Sequence, residues 1–171
     1  MKRFSNLNLP QLQATEISLC DENISPEEVA RSLKELSNDK TPGSDGFSIN
    51  FYKFFWPDIK FLLTDSFLYT FENGYLSNDQ KRGIISLIPK EGKDLRSLRN
   101  WRPISLLNTD YKILTKLLSN RLQTVLPRLI HSDQMGYIKG RFIGQNVRTI
   151  KDLMHYTKIS NLKPLEKYIK I

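Results

Sequence analysis

The sequence predicts a helix-dominated α+β fold built around one short β-hairpin. Apolar residues recur at helical spacing in several stretches that open or close on capping residues. Two short apolar runs rich in isoleucine and leucine flank a cationic loop. The composition, 39% hydrophobic and 26% charged over 171 residues, suits one packed domain but not two full ones.

Residues 1–20 lack sustained periodicity and read as a poorly patterned, loose leader. A sharp helix start follows at Ser25-Pro26-Glu27-Glu28: Ser25 can cap, Pro26 suits the first turn, and Glu28 can reach back to close a capping box. Val29, Leu33 and Leu36 form its buried stripe. Thr41-Pro42-Gly43-Ser44-Asp45-Gly46 is a turn cluster, with both glycines able to take positive φ. Between Ser48 and Asn73 an aromatic-rich run, divided by Pro57, predicts two helices with their aromatics in the core and Gly74 as the final cap.

Gly83–Pro89 reads as a short buried strand and Trp101–Leu107 as a second one. Pro103 lacks an N–H, which favours an edge position. Asp110 can cap a helix carrying Ile113, Leu114, Leu117, Leu118, Leu122 and Leu126 inward and Lys112, Lys116 and Arg121 outward, with Pro127 stopping it. A glycine-punctuated segment, Gly136 to Arg141, leads to a last helix from about Gln145 to Tyr156. The tail from Ser160 shows no convincing pattern.

Several chemistries are excluded. One cysteine cannot make an internal disulfide, and with two histidines it cannot assemble a Cys/His zinc site. Neither G-x-x-x-x-G-K-[ST] nor G-x-G-x-x-G occurs. No acid supports either histidine in a triad pattern. No stretch reads as a signal peptide or a membrane span, so an intracellular location without membrane contact is expected. No Asp-Asp pair is present, and two-metal nucleotidyl transfer ordinarily draws on such a pair.

Charge is uneven along the chain. Residues 1–80 carry seven basic and twelve acidic groups, whereas residues 81–141 carry thirteen basic and four acidic. Lys90, Lys93, Arg96, Arg99 and Arg102 fall within thirteen residues, bracketed by the two strands and adjoining Trp101. Strand ends hold charge in place, and arginine grips phosphate bidentately, so this hairpin suits a triphosphate or a nucleic-acid backbone. A merely solvated hairpin tip stays open as the plainer reading.

Three blocks add a resemblance to this pattern. Thr41–Gly46 with the FYKFFW that follows, LIPKEGKDLRSLRNWRPISLLNTDYKILTKLLSNRL, and IHSDQMGYIKGRFIGQNVRTIKDLM together resemble the reverse transcriptase of LINE-type non-LTR retrotransposons. The blocks run from about Asp21 to Tyr156 in the family's order, which divides the chain into a leader (1–20), a partial reverse transcriptase domain (21–157) and a divergent tail (158–171).

The resemblance implies the fingers and the start of the palm of a right-hand polymerase that copies RNA into DNA with Mg²⁺. Its implied partners are an RNA template, a DNA primer or target, and a dNTP. It implies Lys90 and Arg102 as contacts to the nucleotide triphosphate, and Lys93, Arg96, Arg99 and Arg141 as contacts to nucleic-acid phosphates. Gly140 and Asn146 match a second fingers motif, in which Tyr137 replaces the usual phenylalanine. The family's D-x-x-K-A-F-D and Ala-Asp-Asp elements are not found, so the expectation is a chain with no catalytic or metal-binding residue and no cofactor of its own, inactive alone. The alternative is a nonenzymatic nucleic-acid-binding module derived from such an element.

Overall fold

The structure, a computed structural model, describes residues 10–160. Its element order is α1 (Ala14–Asp21), α2 (Pro26–Glu35), α3 (Ile49–Phe54), α4 (Trp56–Asn73), β1 (Gly83–Pro89), β2 (Trp101–Leu107), α5 (Thr109–Leu129) and α6 (Gly144–Ile159). A 3₁₀ turn, Leu98–Asn100, precedes β2. The helix-rich α+β class therefore holds. The chain divides into two compact units: one spans Ser18–Arg121, the other joins residues up to Ile17 with those from Leu122 on. Among the described residues no helix is long and apolar enough to cross a membrane.

The larger unit packs α2, α3, α4 and the first three turns of α5 around Val29, Leu33, Ile49, Phe67, Ile113 and Leu117. Each such side chain contributes roughly 1.5–3 kcal/mol on leaving water. Helix α2 begins as its sequence dictates: Ser25 Oγ accepts the Glu28 N–H at 3.2 Å and Pro26 sits in the first turn. The other half of the capping box does not form. Glu28 turns instead to Arg121, whose Nε and a terminal nitrogen each donate to a carboxylate oxygen at 2.7 Å.

Arg121 was expected on the outer face of α5 and is instead buried. Its remaining donors reach the carbonyls of Cys20, Glu22 and Asn23 at 3.0, 2.6 and 3.3 Å, and its guanidinium lies 5.6 Å from the Phe71 ring centre. Hydrogen bonding to Glu28 holds its pKa above the ordinary arginine value. A rigid fork with five donors can satisfy a carboxylate and three carbonyls together, which lysine could not.

Other expectations need correcting. The leader is not loose throughout, since α1 forms with Glu16 accepting the Gln13 N–H at 2.7 Å; it buries no residue, which is why no periodicity marks it. Of the aromatic run only Tyr52 and Phe67 are fully buried, while Phe54, Phe61 and Tyr69 are exposed. Helix α5 opens at Thr109, the Asn108 carbonyl accepting the Lys112 N–H, so Asp110 lies inside its first turn and does not cap it. Leu122 faces solvent, and Pro127 sits within the last turn, where it removes one bond without ending the helix. Helix α6 runs three residues beyond its expected end, and the tail from residue 161 lies outside the described residues.

Strands β1 and β2 have the predicted bounds and pair antiparallel from Gly83↔Leu107 to Pro89↔Trp101. They are not buried. Among the described residues the sheet has two strands, and Ile85 at 68% and Leu87 at 50% exposure show how open it is. An apolar run predicts a strand but does not say what covers it.

Replacing Glu28 by Ala should destabilise the chain by about 3 kcal/mol, because it strands a buried guanidinium. Urea unfolding beside an exposed Glu27→Ala control measures this; equal midpoints for the two variants would contradict it.

Candidate nucleic-acid interface

The cationic loop is a tied structure. Where β1 ends, the Lys90 N–H donates to the Asn100 carbonyl at 2.8 Å, extending the ladder by one bond. The Asn100 amide donates to the Asp94 carbonyl at 2.8 Å, and the Trp101 indole N–H to the Leu95 carbonyl at 3.0 Å. Asp94 Oδ1 accepts from the Arg96 backbone N–H and its Nε, at 3.1 and 3.2 Å. Lys90 Nζ donates to the Arg99 carbonyl at 2.7 Å, leaving two of its three donors available.

Register sets direction. Residues paired across antiparallel strands share a face and alternate residues return to it. Ile88 pairs with Arg102 on the face that Ile104 shares, and Lys90 follows directly on the end of β1, two residues past Ile88. Toward the tip the opposite face carries Leu87, Pro103, Pro89 and Trp101 and is apolar. Lys93, Arg99 and Arg102 are exposed and have no side-chain hydrogen bond or ion pair among the described residues. The structure thus brings all five predicted hairpin cations onto one β-hairpin, with Lys90 just past the end of β1 and Arg102 near the start of β2.

The root of the hairpin is held by a residue that the sequence reading did not single out. Asn108, 2% exposed, follows β2. Its Oδ1 accepts from Ser44 Oγ at 3.3 Å and the Asp45 N–H at 3.4 Å, and its Nδ2 donates to the Asp79 carbonyl at 3.0 Å. Next to it, Thr109 Oγ1 donates to the Phe47 carbonyl at 2.6 Å. The Thr41–Gly46 turn is therefore docked on the β2–α5 junction. Only Gly46 of its two glycines has positive φ (75°). Gly43 is needed for close approach, since a Cβ there would stand 2.1 Å from Asn108 Oδ1 and 2.5 Å from its backbone nitrogen.

Two titratable groups line this root. Lys112 Nζ donates to the Thr41 carbonyl at 2.9 Å, and partial burial pushes its pKa down. Burial pushes the Tyr52 phenol up, with Asp110 and Asp45 adding to the shift. Tyr52 is therefore a neutral packing residue.

The remaining predicted residues belong to the smaller unit. Arg141 donates to the carbonyls of His131, Gln134, Pro127 and Ile130 at 2.6, 2.8, 3.0 and 3.1 Å, which closes the end of α5. Gly140 takes φ 82°, a conformation that favours glycine. Asn146 lies in the first turn of α6.

Residues 88–167 match the family described as reverse transcriptase (RNA-dependent DNA polymerase). The chain is 43% identical over 143 residues to the Transposon TX1 uncharacterized 149 kDa protein of Xenopus laevis, covering 81% of this chain and 11% of that protein. The chain belongs to the LINE-type reverse transcriptase family. Two further relatives of this LINE-type chain come from Drosophila melanogaster. The probable RNA-directed DNA polymerase from transposon BS is 27% identical over 139 residues, 79% of this chain and 15% of that protein. The corresponding protein from transposon X-element is 31% identical over 114 residues, 67% of this chain and 13% of that protein. The chain thus spans a small part of the relatives it matches.

Gly43→Ala should destabilise this reverse transcriptase segment by about 1–3 kcal/mol through overpacking against Asn108. Thermal unfolding measures it, and a melting temperature equal to that of the parent chain would show that the turn is not docked as described.

Proposed function

We propose that the chain forms the fingers, with the first edge of the palm, of a right-hand RNA-directed DNA polymerase from a non-LTR retrotransposon. Its hairpin grips the triphosphate of an incoming dNTP and the phosphates of an RNA template paired with a DNA primer. The observation that carries this reading is the placing of Lys90 and Arg102 together at the tip end of a tied hairpin. A compact ammonium and a forked guanidinium on one strand pair suit the several oxygens of a triphosphate. Lys93, Arg96 and Arg99 add template or nucleotide phosphate contacts from the tip. Gly140 and Asn146 shape the second fingers motif. Arg141, held by four carbonyls, serves that motif by holding it in place rather than as a free phosphate contact.

The full family enzyme works with Mg²⁺. This chain has no Asp-Asp pair, and among its described residues no three of Asp, Glu, His or Cys are grouped to hold an ion. These residues do not fit a two-metal centre, so the chain alone binds without extending a primer.

Fluorescence anisotropy with a primed RNA template, across a salt series, tests the binding half. Lys90→Ala with Arg102→Ala should weaken dNTP-dependent binding and lower the salt slope by about one to two. Unchanged affinity and slope would reject the hairpin as the site. Primer extension by the isolated chain with Mg²⁺ would reject the inactivity. Binding that is indifferent to dNTP would favour the nonenzymatic module instead.

A further inference from the structure

Within the smaller unit, the segment Gly136–Arg141 is fastened on both sides of one residue. The Gln123 side-chain amide spans it, Nε2 donating to the Tyr137 carbonyl at 3.3 Å and Oε1 accepting the Lys139 N–H at 3.2 Å. Ile138 between them is buried, and the Arg141 N–H donates back to the Ile138 carbonyl at 3.1 Å. The guanidinium of Arg141 locks the far end onto carbonyls in and after the last turn of α5.

At the first of the two Gln123 contacts stands Tyr137, with φ 63° and a side chain 98% exposed. It is the one non-glycine residue with positive φ among those described. A left-handed tyrosine is strained, and such strain persists where the surrounding structure over-determines the backbone. The ring contributes no burial in return, since it touches almost nothing. Burial of Ile138 and the clamp from Gln123 fix the backbone, and the ring that this backbone carries is presented to solvent.

We propose that Tyr137 is a stacking platform for an unpaired base of single-stranded nucleic acid. The ring is free on both faces, and every base has a π-face to offer it, whereas the bases of a duplex are already stacked. The surrounding charge favours that ligand: residues 122–160 carry six basic side chains against Asp133 and Asp152. Lys139 sits two residues from the ring and is exposed. The site rests on the reading of the chain as a nucleic-acid binder, but it is separate from the hairpin and reads bases where the hairpin reads phosphates.

The test uses the full chain with two labelled probes of equal length, a twelve-nucleotide oligouridylate and its abasic counterpart. The parent should prefer the oligouridylate by about fivefold or more, the range of one base–aromatic stack. Tyr137→Gly should abolish that preference while leaving affinity for the abasic probe unchanged, and Tyr137→Phe should retain it. Because φ 63° suits glycine, Tyr137→Gly should not lower the melting temperature. A retained preference in Tyr137→Gly, a lost one in Tyr137→Phe, or a drop in melting temperature beyond ~4 °C would overturn the platform, the last by showing the ring to be structural. Binding of neither probe by the parent at low salt would instead reject the nucleic-acid reading itself.

Discussion

Asn108 uses both ends of one buried amide: Oδ1 receives the Ser44 hydroxyl and the Asp45 N–H, while Nδ2 reaches the Asp79 carbonyl. These contacts join three stretches that are far apart in sequence, namely the Thr41–Gly46 turn, the approach to β1 and the start of α5. The hairpin begins after one of them and ends at another, so its direction depends on this amide. A two-stranded ribbon is marginal alone. What it gains here is a root with satisfied polar groups, a buried Thr109 beside it and a turn that approaches closely because residue 43 has no Cβ.

The cations divide by what holds them. Arg121 and Arg141 have their guanidinium groups turned to main-chain carbonyls, Arg121 adding a bidentate carboxylate, and each ties together segments that regular secondary structure leaves with unpaired groups. Lys93, Arg99 and Arg102 are exposed on the hairpin and free for a ligand. A net charge of +8 therefore overstates the surface that nucleic acid would meet, and the hairpin concentrates what remains.

Local chemistry made the strand bounds, the Ser25 cap and the split at Pro57 legible, because each depends on neighbours within a few residues. The family was legible for a different reason, three ordered blocks whose combination is specific. Long-range partners were not legible. Nothing near Arg121 in sequence distinguishes it from Lys116, and its carboxylate lies 93 residues away. Asn108 reads as an ordinary loop asparagine until the Thr41–Gly46 turn is seen against it. The apolar character of Gly83–Pro89 specified a strand but not its exposure, and Tyr137 read only as an aromatic substitution until its φ was known.

The Asn108 amide sets the hairpin root. Hydrogen–deuterium exchange of Asn108→Ala against the parent chain tests it most directly. Faster exchange is expected in the 43–47 turn and in both strands near Gly83 and Leu107, with protection in α2 and α4 unchanged. Uniform loss of protection across the larger unit, or unchanged exchange at the hairpin root, would contradict it.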